Sequence, residues 1–568
     1  GMTEELYVRI RRYVTVIRAS EYSRPMELRF LFRSRTETDL QERRGFQNGT
    51  YAGSPIKSYN RIVVGYGESS SPARTSKQGV ELGMLMEKDP GEQSIKDFVA
   101  GYLLIHVPSF SSRLILGDFV VESAEGLVLW RSVGFSKGSE VISPLQKRGI
   151  GIRPYLSTDE NLFFRGAAVE WRVADVFLSA FHSSKPITAS INQDGFITSL
   201  FSDGYHRTAG ELSKKNNSHE RLTGLRVRLA PLWRIRIGAT AYQARFSNSL
   251  FLNDASGYQD AEVSAGGLDL SYTDKVVSVF SEVAKTPTSS LASILGVVVE
   301  LDKRLDLAMV ARFYPKDFAN VHAFGFRESG SLTQNESGLY VGAKFLVTRS
   351  LRLSMYYDQF RFPWRTSSLE LPASGNDFLL LSEINVSRRV DLQILYKNRH
   401  KPFSISQLDA FGRQEDAVSE RNQKNYRLTL DFASSANAEW RSRFEMVDVR
   451  YPVNISAERG FLWMQDVRLR PRNDVTVDAR VIMFQTDSFD SRVYEFENDL
   501  RGTFSNPALF GKGIRWYLLA RQRFTGYFEL SAKYSRTVKD GAKTISSGSN
   551  EISGDSEGQL SLQIDITF

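Results

Sequence analysis

From Pro25 onward, apolar and polar residues alternate with a period of two for almost the whole chain, the signature of strands with one oily and one polar face. Leu28, Phe30 and Phe32 interleave with Arg29, Arg33 and Arg35, and Leu225, Val227 and Leu229 with Arg226 and Arg228. Trp233, Ile235, Ile237 and Ala239 interleave with Arg234, Arg236 and Thr240. The same rhythm runs through Val390–Tyr396, Tyr426–Phe432 and Phe528–Tyr534. The pattern predicts strands of about 9 to 12 residues, the length a tilted strand needs to cross a bilayer. Tight turns are predicted at 230–232, 273–275, 302–304, 348–350, 388–389 and 472–474, and long polar loops at 246–262, 315–336, 363–376, 401–423 and 538–558. Short and long connections mostly alternate, as they do when one end of a barrel faces the periplasm and the other the outside. The rhythm breaks near 485–525. Closure with both ends periplasmic calls for an even number of strands, about 24 to 26 here.

Composition narrows the class. The chain has 568 residues with 41% hydrophobic and 24% charged, so it is neither a disordered polyelectrolyte nor a bundle of membrane helices. Its longest stretch without a formal charge is 98–112, too short and too polar to span as a helix. The absence of cysteine removes disulfides and thiolate metal sites. Soluble sandwiches and propellers also show period-two strands. The strands here are longer than those folds use, the polar faces carry many charges, and no blade-like repeat of 40 to 50 residues recurs. The first fifteen residues instead read as one helix, with Thr3 as cap, Glu4 and Glu5 at its start and Arg9, Arg11 and Arg12 toward its end. They do not form a secretory signal, so Gly1-Met2 reads as a trimmed start.

The last strand places Leu560, Leu562, Ile564, Ile566 and Phe568 on one face and Ser561, Gln563, Asp565 and Thr567 on the other. This resembles the C-terminal signature of bacterial outer-membrane barrels. The resemblance implies that Ile564, Ile566 and Phe568 are read by the barrel-assembly machinery. Residues 117–168, GDFVVESAEGLVLWRSVGFSKGSEVISPLQKRGIGIRPYLSTDENLFFRGAA, interrupt the hairpin rhythm with many glycines and weak alternation. A structureless run of this length within a compact fold is usually functional or a plug. Together with GYHRTAGEL at 204–212 and GMTEELYVRIRRYVTV at the start, this stretch resembles Gram-negative outer-membrane proteins that carry helix-hairpin-helix repeats before a large barrel. The resemblance implies a periplasmic remnant of such a repeat at 1–20 and a barrel over 26–568 with inward-folded insertions at 123–162 and 188–221. In the motif, hairpin N–H groups hold a nucleic-acid phosphate, which here would fall to Gly1, Met2 and Thr3. DNA becomes a candidate partner on that basis alone.

Candidate chemistry is sparse. The six histidines, at 106, 182, 206, 219, 322 and 400, never recur at metal-ligand spacing. There is no nucleophile-elbow motif, GKGIR at 511–515 lacks the order of a phosphate loop, and Gly149, Gly151 and Gly166 form no dinucleotide fingerprint. No enzyme and no cofactor are expected. The basic residues say more. Arg226, Arg228, Arg234 and Arg236 fall on polar faces of two adjacent strands and could line one lumen patch, while Lys147, Arg148 and Arg153 lie near Asp159 and Glu160 in the expected plug. Two readings follow: an anion-attracting interior, or plug carboxylates paired with wall arginines. Trp233, Trp463 and Trp516 suit an interfacial girdle. The expectation is a large all-β, transmembrane antiparallel barrel in the bacterial outer membrane with plug-like insertions and a short N-terminal helix. It would pass or handle a substrate without catalysis. The alternative is a closed scaffold or subunit holding other outer-membrane or periplasmic proteins.

Overall fold

The computed structural model describes residues 26–568 except 69–78, 108–111, 132–136, 148, 201–203, 233, 252–256, 331, 367, 409–410 and 453–456. Among the described residues, 24 strands form one antiparallel barrel. They are β1 Met26–Asp39, β2 Ile56–Glu68, β3 Gly79–Lys88, β4 Phe98–Val107, β5 Ser112–Glu122, β6 Phe164–Val173, β7 Val176–Ile187 and β8 Ser218–Leu232. Next come β9 Ile235–Phe251, β10 Gln259–Thr273, β11 Val277–Lys285, β12 Ala292–Asp302, β13 Leu305–Tyr314, β14 Glu336–Thr348, β15 Leu351–Phe362 and β16 Ala373–Ser387. The last are β17 Val390–Leu408, β18 Gln414–Ser435, β19 Ala438–Arg450, β20 Glu458–Arg472, β21 Val475–Thr486, β22 Lys512–Arg523, β23 Phe528–Lys539 and β24 Ser556–Thr567. Each pairs with the next in sequence. β1 then pairs with β24 in the register Ser34↔Ile564 and Thr36↔Leu562, so no sheet edge is left open. Beside this seam Phe568 exchanges backbone hydrogen bonds with Phe30 and stacks on its ring at 5.0 Å.

The burial pattern is that of a globular protein turned inside out. On β15, Ser354, Tyr356, Asp358 and Phe360 are buried while Met355 and Tyr357 are exposed. Leu268 is 59% exposed and Asp358 0%, which fixes the apolar side as the outside and the charged side as the lumen. Leu225, Leu295, Met309, Val341, Ile394, Leu428, Phe444, Met483, Leu518 and Leu562 continue the outer belt. Trp171 and Trp440 flank it at one end, Trp463 and Trp516 at the other, positions suited to the two membrane interfaces. Trp233 lies outside the described residues. The connections sort by length. Residues 174–175, 303–304, 349–350, 388–389, 436–437 and 473–474 are tight turns at one end, and the long loops gather at the other. Short turns face the periplasm in such barrels, so the long loops face outward.

Two expected loops are largely strand. Pairing of β17 with β18 runs unbroken through His400↔Asn422 and Ser404↔Val418 to Leu408↔Gln414, where a loop at 401–423 was expected. β9 likewise reaches Phe251 and β10 starts at Gln259. Past the apolar slab both faces of a strand meet water, so the alternation fades although the ladder continues. At 19 and 22 residues, β17 and β18 span roughly 65–75 Å and project beyond the membrane. The second expected insertion ends earlier than 221, because His219, Glu220 and Arg221 already belong to β8. The expected helix at 1–20 lies outside the described residues. Among those described, no helix is long and apolar enough to cross a membrane.

Candidate functional site: two lumen inserts and the seam between them

A closed 24-stranded sheet is roughly 45–50 Å across at ordinary strand spacing and tilt, far too wide for wall side chains to fill. Loops from the outer end fill it instead. Residues 123–163, between β5 and β6, cross the lumen as the first insert. Their Leu127, Val128, Leu129, Val141, Ile142 and Leu145 form a buried apolar core with wall residues such as Tyr242, Phe280, Val310, Tyr340 and Tyr356. Residues 315–335 add Phe318 and Phe326 to that core. Glu282 of β11 anchors the insert: its carboxylate accepts the backbone N–H groups of Glu125 (2.8 Å), Leu127 (3.0 Å) and Val128 (3.1 Å). Asn320 donates to the carbonyls of Leu127 and Val128, each at 2.9 Å. The chain turns there through Gly126, at φ +85°, where a Cβ would sit 2.7 Å from the Phe324 carbonyl oxygen.

Ion pairs fix the rest of the insert. Lys137 bonds Asp358 of β15 at 2.8 Å and also Glu328. Arg312 of β13 lies fully buried between Glu336 (2.6 Å) and Asp358 (2.7 and 3.1 Å). Arg131 reaches Glu220 of β8, which also contacts His322 at 2.8 Å. In this insert wall carboxylates hold most of the N–H groups and cations, the reverse of the expected plug carboxylates on wall arginines, although Glu140 does meet Lys344 of the wall. The second insert keeps the expected polarity. An extended chain crossing a lumen presents many backbone donors, which carboxylates can satisfy and arginines cannot.

A second insert, residues 487–511 between β21 and β22, fills the opposite half and accounts for the broken rhythm at 485–525. Its Glu495 meets Arg443 (2.8 Å) and Arg480 (3.5 Å), and its Glu497 meets Arg515 (2.6 Å) and Lys533 (3.1 Å). Asp499 adds a 2.9 Å bond to Lys533.

Between the inserts a cavity of about 330 Å³ remains. Its wall is built from adjacent strands in register. Leu379, Lys397 and Asn425 lie in one row, and Leu395, Arg427 and Glu445 in the next. Arg399, Arg421 and Gln423 complete that wall. Gly138 and Ser139 close the cavity from the first insert, and Asp490, Arg492 and Tyr494 from the second.

The sequence-selected residues fall in separate places. Arg153 bonds Glu122 at the end of β5. Asp159 caps its own turn, accepting from Asn161 (3.0 Å) and Leu162 (2.8 Å). Arg226 is paired within the wall to Asp269 (2.7 and 3.1 Å) and Thr240 (2.5 Å). Arg228 lies over the Phe177 ring, and with Arg226, Arg113, His106 and Glu170 it lines a cavity of about 270 Å³ toward the periplasmic end. Arg234 is at the turn, bonded to Asp274 (2.9 Å), and Arg236 is exposed. The four arginines therefore do not form one free patch. Arg148, Gly1, Met2 and Thr3 lie outside the described residues. Ile564 points outward, and Ile566 and Phe568 follow on the same face.

Glu160 belongs to a knot of outer loops. Long-range folding brings Glu92, Asp97 and His206 within 4.8 Å of one another, a grouping invisible in the spacing of the histidines. His206 Nδ1 lies 2.8 Å from Asp97 and 3.8 Å from Glu160, Lys215 bonds Asp97 at 2.7 Å, and Glu92 accepts the His206 N–H at 3.0 Å. Burial works against the Asp97 charge, but hydrogen bonds from His206 and Lys215 outweigh it and hold the carboxyl below its ordinary range. Burial, then the Asp97 and Glu92 charges, push Glu160 up to about 9. For an acid raised in the folded state, the stabilisation is complete below its ordinary value of 4.5 and is lost as pH rises through about 9. The knot should therefore loosen between pH 6 and pH 10, read as faster proteolytic nicking of residues 204–217. Glu160→Gln should flatten that dependence; an equally steep response in the variant would show that another group governs it.

A closed barrel with an apolar belt, a charged lumen, tight turns at one end and long loops at the other defines a bacterial outer-membrane β-barrel, here with its lumen occupied by its own loops. No family model matches the chain and no curated protein matches it. Among solved structures it is similar to the siderophore receptor PirA from Pseudomonas aeruginosa, at 8% identity and a TM-score of 0.43, covering 96% of this chain and 81% of that one. It is also similar to P. aeruginosa FpvA bound to heterologous pyoverdines, at 9% identity and 0.44, covering 95% and 72%. The outer-membrane protein OmpT of Vibrio cholerae aligns at 12% identity and 0.28, over 54% of this chain and 89% of that one. Likenesses this distant leave the description of the barrel resting on its own register and belt.

Proposed function

We propose that this barrel passes a small solute across the outer membrane along the seam between its two inserts. The observation that supports this is the seam itself: two separately anchored bodies fill opposite halves of the lumen and leave a polar, charged cavity where they meet. A scaffold that conducts nothing has no need of charged side chains around an internal void, since burying them carries a desolvation cost. In planar bilayers the wild-type barrel should give small, resolvable conductance steps. Replacing residues 489–508 with a short Gly-Ser linker should enlarge the steps several-fold. A wild type that stays closed at every voltage, and co-purifies with another outer-membrane or periplasmic protein, would establish the scaffold reading instead.

Assembly is proposed to depend on the outward face of β24, with Ile564, Ile566 and Phe568 engaging the barrel-assembly machinery. Nucleic acid as the solute draws on Gly1, Met2 and Thr3 and on no residue of the seam, while membership of the helix-hairpin-helix family draws on the start of the chain, 117–168 and 204–212. Salt-dependent duplex binding tests them, and its absence removes DNA from the proposal.

A further inference from the structure

Charge is unbalanced around the seam. Five cations, Lys397, Arg399, Arg421, Arg427 and Arg492, line it, against the two carboxylates Glu445 and Asp490. A third carboxylate, Asp377, sits behind Lys397 (3.4 Å) and Arg399 (3.0 Å). The neighbouring buried set adds nothing to this excess, because Arg312, Lys137 and Lys401 are matched by Glu336, Asp358 and Glu328. The guanidinium donors are also underused. Arg427 spends its Nε on Glu445 at 2.6 Å, and among the described residues its terminal nitrogens make no hydrogen bond. Arg421 offers one nitrogen to Asp490 at 3.3 Å, and Asp490 must also serve Arg492 (3.9 Å) and the Tyr451 hydroxyl. Planar guanidinium groups with free N–H pairs match the paired oxygens of carboxylate or phosphate. Asn425 and Gln423 sit between them on the same strand face, adding neutral polar groups.

We infer that the seam cavity is a binding site for a small solute bearing two or more negative charges, carboxylate or phosphate, held by Arg421 and Arg427 with Lys397, Arg399 and Arg492 around it. The inference deepens the passage reading and rests on it, since a binding site where the two inserts meet would select what crosses.

The test uses the purified full chain in detergent and two probes, citrate and inorganic phosphate, titrated calorimetrically. At least one should bind, weaken as salt rises, and lose about tenfold or more in affinity in the Arg421→Gln/Arg427→Gln double variant. Tighter citrate binding identifies a polycarboxylate and tighter phosphate binding a phosphorylated solute. Gly138→Trp provides a second variant that leaves every ion pair in place. Nothing lies within 4 Å of a Cβ built there, and the added ring would occupy the cavity and abolish binding. Arg228→Gln, in the other cavity, should leave affinity unchanged. Binding of neither probe by the folded wild type overturns the inference, as does equal affinity in both seam variants. Anion binding by a barrel that never conducts would refute passage while leaving this site standing; conductance without anion binding would do the reverse.

Discussion

Arg312→Ala is expected to destabilise the folded barrel by about 3–5 kcal/mol, the range for breaking a buried ion pair by removing one member. Arg312 has no exposed side-chain surface, and its loss would leave Glu336 and Asp358 facing each other without their shared cation. Glu336 also accepts the N–H groups of Glu328 and Ser329, so the damage would spread into residues 315–335. Lys137 could still reach Asp358 but is already divided between that residue and Glu328. The urea midpoint of the refolded barrel, followed by its heat-dependent gel mobility, measures the effect. Adding Glu336→Gln and Asp358→Asn to the alanine variant should recover much of the loss, because no unpaired charge then remains buried. A single variant with the wild-type midpoint would show that water reaches the cluster.

Glu282→Ala should release the first insert without unfolding the wall. Three buried N–H groups lose the side-chain acceptor that Glu282 gives them, and each unsatisfied donor costs about 1–3 kcal/mol. The β11 ladder on either side is untouched, since Glu282 pairs through its backbone with Asp269 and Ile294. Residues 124–131 should become open to protease, and bilayer conductance should rise several-fold, while gel mobility stays that of a folded barrel. Glu282→Gln should lie between, because Oε2 receives two of the three bonds and an amide oxygen turned that way keeps them. Unchanged protease resistance in the alanine variant would place the grip on the insert elsewhere, at Asn320 and Lys137.

How much of this could be read from the sequence depends on the distance over which each feature is encoded. The strands are local: Leu428 and Leu430 beside Thr429 and Asp431 declare a two-faced strand without help from the rest of the chain. The first insert was visible because glycines and weak alternation mark 123–162. The second is hidden because Val493, Glu495 and Glu497 with Tyr494 and Phe496 between them look like one more strand, although the segment pairs only with its own insert, Val493–Tyr494 with Ala508–Leu509 and Glu497 with Ser505. The ion pairs were beyond reach, since Lys137 meets Asp358 across 221 positions. The seam is hidden from the sequence for a related reason. Arg399, Arg421, Arg427 and Arg492 each look like an ordinary polar-face residue, and only the register of β16–β19 and the approach of two distant loops bring them to one void. The cluster at Arg226–Arg236 is dense in sequence, yet its most buried member, Arg226, is already paired with Asp269.

Both bodies in the lumen are continuous with wall strands at each end, the first with β5 and β6, the second with β21 and β22. A stopper leashed at two points cannot be ejected into the periplasm as a free domain could. It can only swing, fold back toward its own rim or slide a short way against its neighbour, and both leashes are fixed on the side facing the environment. Whatever arrives from outside therefore meets the attached ends of both inserts at the outer rim, so that rim is where such a device would be both addressed and unlocked.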